Sequence, residues 1–126
     1  MRRAVVVGLP TVALLTAMYT GFQRLALPSQ PPQARTYRLQ FEGNRLISGP
    51  AVLVAGQGDT ITLLVTSDSP AVLHLHEHEQ AVVLDLVPGR EASSRFTASP
   101  AGRFGVHLIG SNGSFAEVAV LQVWPR

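Results

Sequence analysis

From residue 36 onward, apolar and polar positions alternate with a period of two, the spacing of side chains along one face of a β-strand. Tyr37, Leu39 and Phe41 interleave with Arg38, Gln40 and Glu42. Residues 51–55 and 60–67 are rich in β-branched side chains, and Gly56-Gln57-Gly58-Asp59 between them is a turn signal of hairpin type. Residues 72–78 alternate again, 81–86 form a short apolar run, and Val87-Pro88-Gly89-Arg90 reads as a turn. Segments 93–97, 103–109 and 115–124 complete a set of seven or eight short strands. No segment after Phe22 has a helical period, so the pattern predicts an all-β sandwich or barrel. The alternation points Leu39, Phe41, Ile61, Leu63, Val65, Leu73, Leu75, Phe96, Phe104, Val106, Leu108, Val118, Val120 and Val123 inward. Trp124 is left open, because the last strand is apolar on both faces.

The N-terminus has a different pattern. Met1-Arg2-Arg3 precedes residues 4–22, a run without a charged side chain and long enough as a helix to span a bilayer core. Tyr19 and Phe22 stand where interfacial aromatic anchors are expected, and two arginines before the run against Arg24 after it place the N-terminus in the cytoplasm. Residues 1–26 are therefore expected to be a signal anchor or transmembrane helix. The alternatives are a cleaved signal peptide, whose small-residue cleavage site is poorly met here, and a buried core helix, which the flanking arginines disfavour. Residues 27–35 contain three prolines and read as an extended linker. Residues 36–126 are then one domain on the extracytoplasmic side, either held by a single-pass anchor or released to the periplasm.

The chain has 126 residues, 46% hydrophobic and 14% charged, which fits one compact domain with a short appendage. Its pI of about 9.9 invites a nucleic-acid reading. From Arg35 onward, however, seven Arg stand against eight Asp and Glu. The basic excess belongs to the N-terminus, the domain has no basic stripe, and nucleic acid is not expected as a partner. The chain has no Cys, and both Met lie at or within the N-terminal run. The domain therefore has no sulfur ligand.

All four histidines lie in the domain. His74, His76 and His78 occupy positions i, i+2 and i+4 of one segment, so on a strand they share a face, with Leu73 and Leu75 on the other. On residues 104–108, Phe104, Val106 and Leu108 point inward and His107 outward. If the two strands are neighbours, four imidazoles share one outer face. Imidazole suits Cu(II), Zn or Ni, and Glu77 or Glu79 would be available as oxygen donors, whereas Cu(I) lacks its soft ligands. The competing reading is a solvated face rich in His and Glu that protects a sheet edge and holds no metal.

Gly58-Asp59-Thr60-Ile61-Thr62-Leu63, then Val72-Leu73-His74-Leu75-His76, then Val87-Pro88-Gly89, and finally Phe96-Thr97-Ala98 and Ala101-Gly102-Arg103-Phe104-Gly105-Val106-His107 resemble, in that order, bacterial cupredoxin-like domains. The resemblance runs from Tyr37 to Trp124. It implies a Greek-key sandwich and a history of copper binding near the loop after the Phe104 strand. The departures from the family pattern are specific. His107 falls near the position of the blue-copper Cys, and residues 109–114 supply neither His nor Met. Where relatives carry Glu-x-His on the later strand, this chain has Ile109 in place of the second His. A blue centre and a bridged dicopper centre are both excluded.

The expectation is a membrane-tethered cupredoxin-like domain that binds Cu(II) or Zn through His74, His76, His107 and His78, for metal handling and not for electron transfer. The alternative is a metal-free, degenerate sandwich that serves as an interaction module beside an envelope protein. Nothing resembles a nucleophile elbow, so no enzymatic activity is expected. Asn112-Gly113-Ser114 meets the glycosylation pattern but reads as a tight turn.

Overall fold

The computed structural model describes residues 30–77 and 80–126, apart from the side chains of 77, 80 and 81. The expected N-terminal helix lies outside the described residues. The chain divides into two compact units, Met1–Pro31 and Pro32–Arg126, and every described strand lies in the second.

Nine strands follow one another: β1 (Ala34–Glu42), β2 (Arg45–Ser48), β3 (Val52–Gly56), β4 (Thr60–Ser67), β5 (Ala71–Glu77), β6 (Gln80–Leu86), β7 (Ala92–Thr97), β8 (Gly102–Gly110) and β9 (Phe115–Trp124). They form a four-stranded sheet in the order β2-β1-β4-β7 and a five-stranded sheet in the order β3-β9-β8-β5-β6. The pairs β1–β4 and β3–β9 are parallel and the rest antiparallel. Because the chain passes repeatedly from one sheet to the other, the product is a Greek-key sandwich. The alternation in the sequence becomes the two inner faces. Leu39, Phe41, Ile61, Leu63, Val65 and Phe96 come from the small sheet, and Leu53, Leu73, Leu75, Leu84, Val106, Leu108, Leu121 and Val123 from the large one. Burying these alternate positions between two sheets drives the assembly.

Three details differ from the sequence reading. Residues 45–48 form an additional strand, too short and too polar to announce itself. The turn at residues 56–59 is not a hairpin, because β3 and β4 belong to different sheets. Finally, β9 buries Ala119, Leu121 and Val123. Val118 and Phe104 are only partly buried against the core, and Val120 is buried outside the central cluster. Successive apolar residues in β9 give no parity signal, and a bulge shifts its register beside Val106 and His107. Trp124 is exposed, and Asp85 is exposed on the edge strand β6.

The turn at residues 56–59 carries the one buried ionised group among the described residues. Asp59 is fully covered. Its carboxylate accepts hydrogen bonds from the backbone N–H of Gln33 (2.8 Å) and Gly56 (2.7 Å) and from the guanidinium groups of Arg35 and Arg126 (both 2.7 Å). Burial pushes this carboxyl up, but the donors from Gln33, Arg35, Gly56 and Arg126 outweigh it and hold Asp59 well below the usual carboxylate range. Its own C=O accepts from the N–H of Ala98 at 2.8 Å. One residue thus ties the start of β1, the β3–β4 turn, the end of β7 and the chain just past β9. At the edge of the large sheet, the Tyr37 hydroxyl donates to the C=O of Val54 and accepts from its N–H at 3.2 Å. A side chain of the small sheet thereby caps the outer strand of the large one.

Candidate metal centre

The outer face of the five-stranded sheet carries the histidines. β5 and β8 are antiparallel neighbours, and His74 stands directly opposite His107. Leu73, Leu75, Val106 and Leu108, which alternate with them, are buried in the core, so the imidazoles project away from it. The rings of His74 and His76 are in contact, with centroids 3.9 Å apart and planes at 75°. His76 is exposed, and His74 and His107 are half-buried.

The bulge in β9 sets what lies next to His107. Val106 pairs with Ala119 but His107 pairs with Glu117, so Val118 is the extra residue. A regular ladder would put Val118 opposite His107, and the bulge substitutes a carboxylate. The floor between these side chains is Gly105. A Cβ there would stand 3.0 Å from His107 Cε1, 3.3 Å from His107 Nε2 and 3.1 Å from Glu117 Oε1. The absent side chain therefore leaves a cradle with a ring nitrogen on one side and a carboxylate oxygen on the other. Phe115 stacks on the His107 ring, with centroids 4.7 Å apart. His107 Nδ1 is buried without a hydrogen-bond partner. Turning the ring by half a revolution about Cβ–Cγ exchanges Nδ1 for Cδ2 and Nε2 for Cε1. That moves Nδ1 out of its unpartnered position and brings Nε2 to the 3.0 Å position beside the cradle.

Of the residues the sequence singles out, His74, His76 and His107 share one face of adjacent strands. His78 and Glu79 lie outside the described residues, as does the side chain of Glu77. Ile109 pairs with Val72 and Phe115, so the position that would hold a second His in the family pattern is apolar. Residues 111–114 form a tight turn closed by Gly110 N–H to Ser114 C=O at 2.9 Å, with no imidazole or thioether in it. Glu117 escaped the sequence reading because only the cross-strand register, bulge included, brings it to His107. Asp59 was read there only as a turn residue.

Among the described residues, no three His, Asp or Glu side chains stand as a formed coordination sphere. The donors nevertheless suit a borderline cation: three imidazoles and one carboxylate with no sulfur. Two imidazoles bound to one tetrahedral ion at a Zn–N distance of about 2.0–2.1 Å hold their centroids roughly 5 Å apart. The His74 and His76 rings must therefore open by about 1 Å to share an ion, a side-chain adjustment on an exposed face.

No protein-family model and no curated protein matches the chain. Among solved structures it is similar to a chain of a heme-copper terminal oxidase dimer, at 14% identity over 98% of this chain and 99% of that one, with a TM-score of 0.54. It is also similar to a multicopper oxidase, at 17% identity over 73% of this chain and 42% of that one, TM-score 0.54. A copper-containing nitrite reductase from Thermus scotoductus SA-01 matches at 18% identity over 75% of this chain and 28% of that one, TM-score 0.51. This chain thus spans less than half the length of the last two. At such identities the likeness speaks for the fold, and it agrees with the strand order and the Greek-key crossings described above: residues Pro32–Arg126 form a cupredoxin-like β-sandwich.

Proposed function

We propose that the chain is an exported, membrane-tethered cupredoxin-like domain that binds Cu(II) or Zn through His74, His76 and His107 and acts in metal handling, without turnover of a substrate. The observation that carries this reading is the register of His74 against His107, with the His76 ring 3.9 Å from that of His74. Histidines from two adjacent strands on one face offer imidazole nitrogens to a cation. The absence of Cys removes the thiolate that a blue electron-transfer site requires. The likeness of its fold to those of copper-containing proteins adds support. Tethering and export rest on the uncharged run at residues 4–22 and its flanking arginines.

Calorimetric titration of the purified full chain with Cu(II) and Zn, beside His76→Ala, tests the metal reading. Stoichiometric uptake weakened in the variant supports it, and equal heats from both proteins would overturn it. A C-terminal alkaline phosphatase fusion tests the topology: activity in intact cells, retained in carbonate-washed membranes, is expected for the anchored form.

A second reading, a metal-free interaction module for an envelope protein, is favoured by the apolar side chains around the histidines. Phe115 is 64% and Val83 55% exposed, and Val83 pairs with His74 while Phe115 stacks on His107. Such a grouping on one sheet face suits contact with a protein. It predicts no metal after purification, and crosslinking to an envelope protein that Phe115→Ser abolishes.

A further inference from the structure

We infer that Glu117 is the oxygen donor of this centre, delivered to it by the bulge in β9, and that the centre therefore selects divalent borderline cations over monovalent copper. The inference rests on the metal reading above and goes beyond it by naming a ligand from a third strand.

Four observations converge on Glu117. It is the registered partner of His107, and His107 is the registered partner of His74, so three adjacent strands present Glu, His and His in one row. The row exists only because the bulge moves Val118 out of it. Glu117 Oε1 and the His107 ring flank the same unfilled point above Gly105, at 3.1 Å and 3.0–3.3 Å. A cation shared by the two side chains would lie farther out than this Cβ position, which is at bonding distance from the Gly105 Cα. Glu117 is also uncommitted. The ion pairs among the described residues join Arg35 and Arg126 to Asp59 and Arg38 to Glu91, and none involves Glu117.

The chemistry follows from the donor set. A carboxylate contributes a hard, charged oxygen that offsets one of the two charges on Cu(II) or Zn, whereas Cu(I) prefers the soft sulfur this domain lacks. Glu117 is exposed, so replacing it leaves the fold intact.

The test compares the full chain with Glu117→Gln and with Glu91→Gln, a carboxylate removed elsewhere on the domain. Zn and Cu(II) affinities are measured by competition titration, and the copper-loaded proteins by electron paramagnetic resonance. Glu117→Gln is expected to weaken both ions by tenfold or more and to shift the copper hyperfine splitting while the imidazole couplings persist. Glu91→Gln is expected to stay within twofold of the parent. If Glu117→Gln also stays within twofold, or if both variants weaken binding equally through net charge alone, Glu117 is not a ligand and the histidine reading still stands. If the parent chain takes up neither ion, the histidine reading falls and this inference with it.

Discussion

Arg126 donates a 2.7 Å hydrogen bond to Asp59 across 67 residues of sequence, and its guanidinium lies over Gly56, where any Cβ would collide with it. Arg35 reaches the other oxygen of the same carboxylate, also at 2.7 Å. The side chains of Arg35 and Arg126 are 34% and 19% exposed, while that of Asp59 is fully covered. The two cations keep some solvent when the carboxylate is lost, but the N–H groups of Gln33 and Gly56 lose their acceptor. Replacing Asp59 by Ala is therefore expected to cost about 2–4 kcal/mol, below what a fully buried network would lose. Urea denaturation of parent and variant measures it. A midpoint unchanged within error would mean that Asp59 is no clasp.

The same residue sets an acid limit on stability. In the unfolded chain an Asp titrates near about 3.9, and in the folded domain Asp59 is held well below that. As pH falls, the unfolded state takes up this proton first, so acid favours unfolding. The contribution is present above about pH 5 and is lost progressively toward the folded value. The urea midpoint of the parent should fall between about pH 5 and pH 3, and Asp59→Asn should remove much of that slope. Equal slopes in parent and variant would assign the acid sensitivity to other carboxylates.

Most of the fold was legible because burial on one face writes itself as alternation. Along residues 60–67 burial alternates without a break, with Ile61, Leu63 and Val65 turned inward. The facing of the histidines was legible for the same reason: Leu73, Leu75, Val106 and Leu108 fixed the parity of β5 and β8. Where that signal is silent the reading failed. Val118-Ala119-Val120-Leu121 is apolar at every position, so the inward set of β9 could not be told from the sequence, and the bulge is invisible there. Asp59 and Glu117 depend on which strands meet and in which register. That information resides in pairings between distant segments and not in any local pattern.

Tyr37 offers a narrower test of how the sheets are joined. Its hydroxyl serves both backbone polar groups of Val54, on a strand whose other edge pairs with β9. Tyr37→Phe keeps the ring, which packs against the core, and removes only these bonds. A loss of about 1 kcal/mol is expected, with faster hydrogen exchange at the Val54 amide. Unchanged exchange there would show that solvent serves Val54 equally well.

Gly105 links the fold to the candidate centre and can be altered without touching a donor. It has no positive φ, so alanine fits its backbone. Its new Cβ would meet His107 Cε1 at 3.0 Å and Glu117 Oε1 at 3.1 Å. Both atoms lie at the ends of side chains that can give by a few tenths of an ångström. Gly105→Ala is therefore expected to change stability by less than about 1 kcal/mol. If an ion sits in the cradle above this residue, the methyl group takes part of its space and spreads the His107 and Glu117 donors apart. Cu(II) and Zn affinity should then fall by tenfold or more while the thermal midpoint of the metal-free protein stays close to that of the parent. Calorimetry and thermal denaturation on the same preparations separate the two effects. Full affinity in Gly105→Ala would place the ion away from this cradle, nearer the His74 and His76 rings.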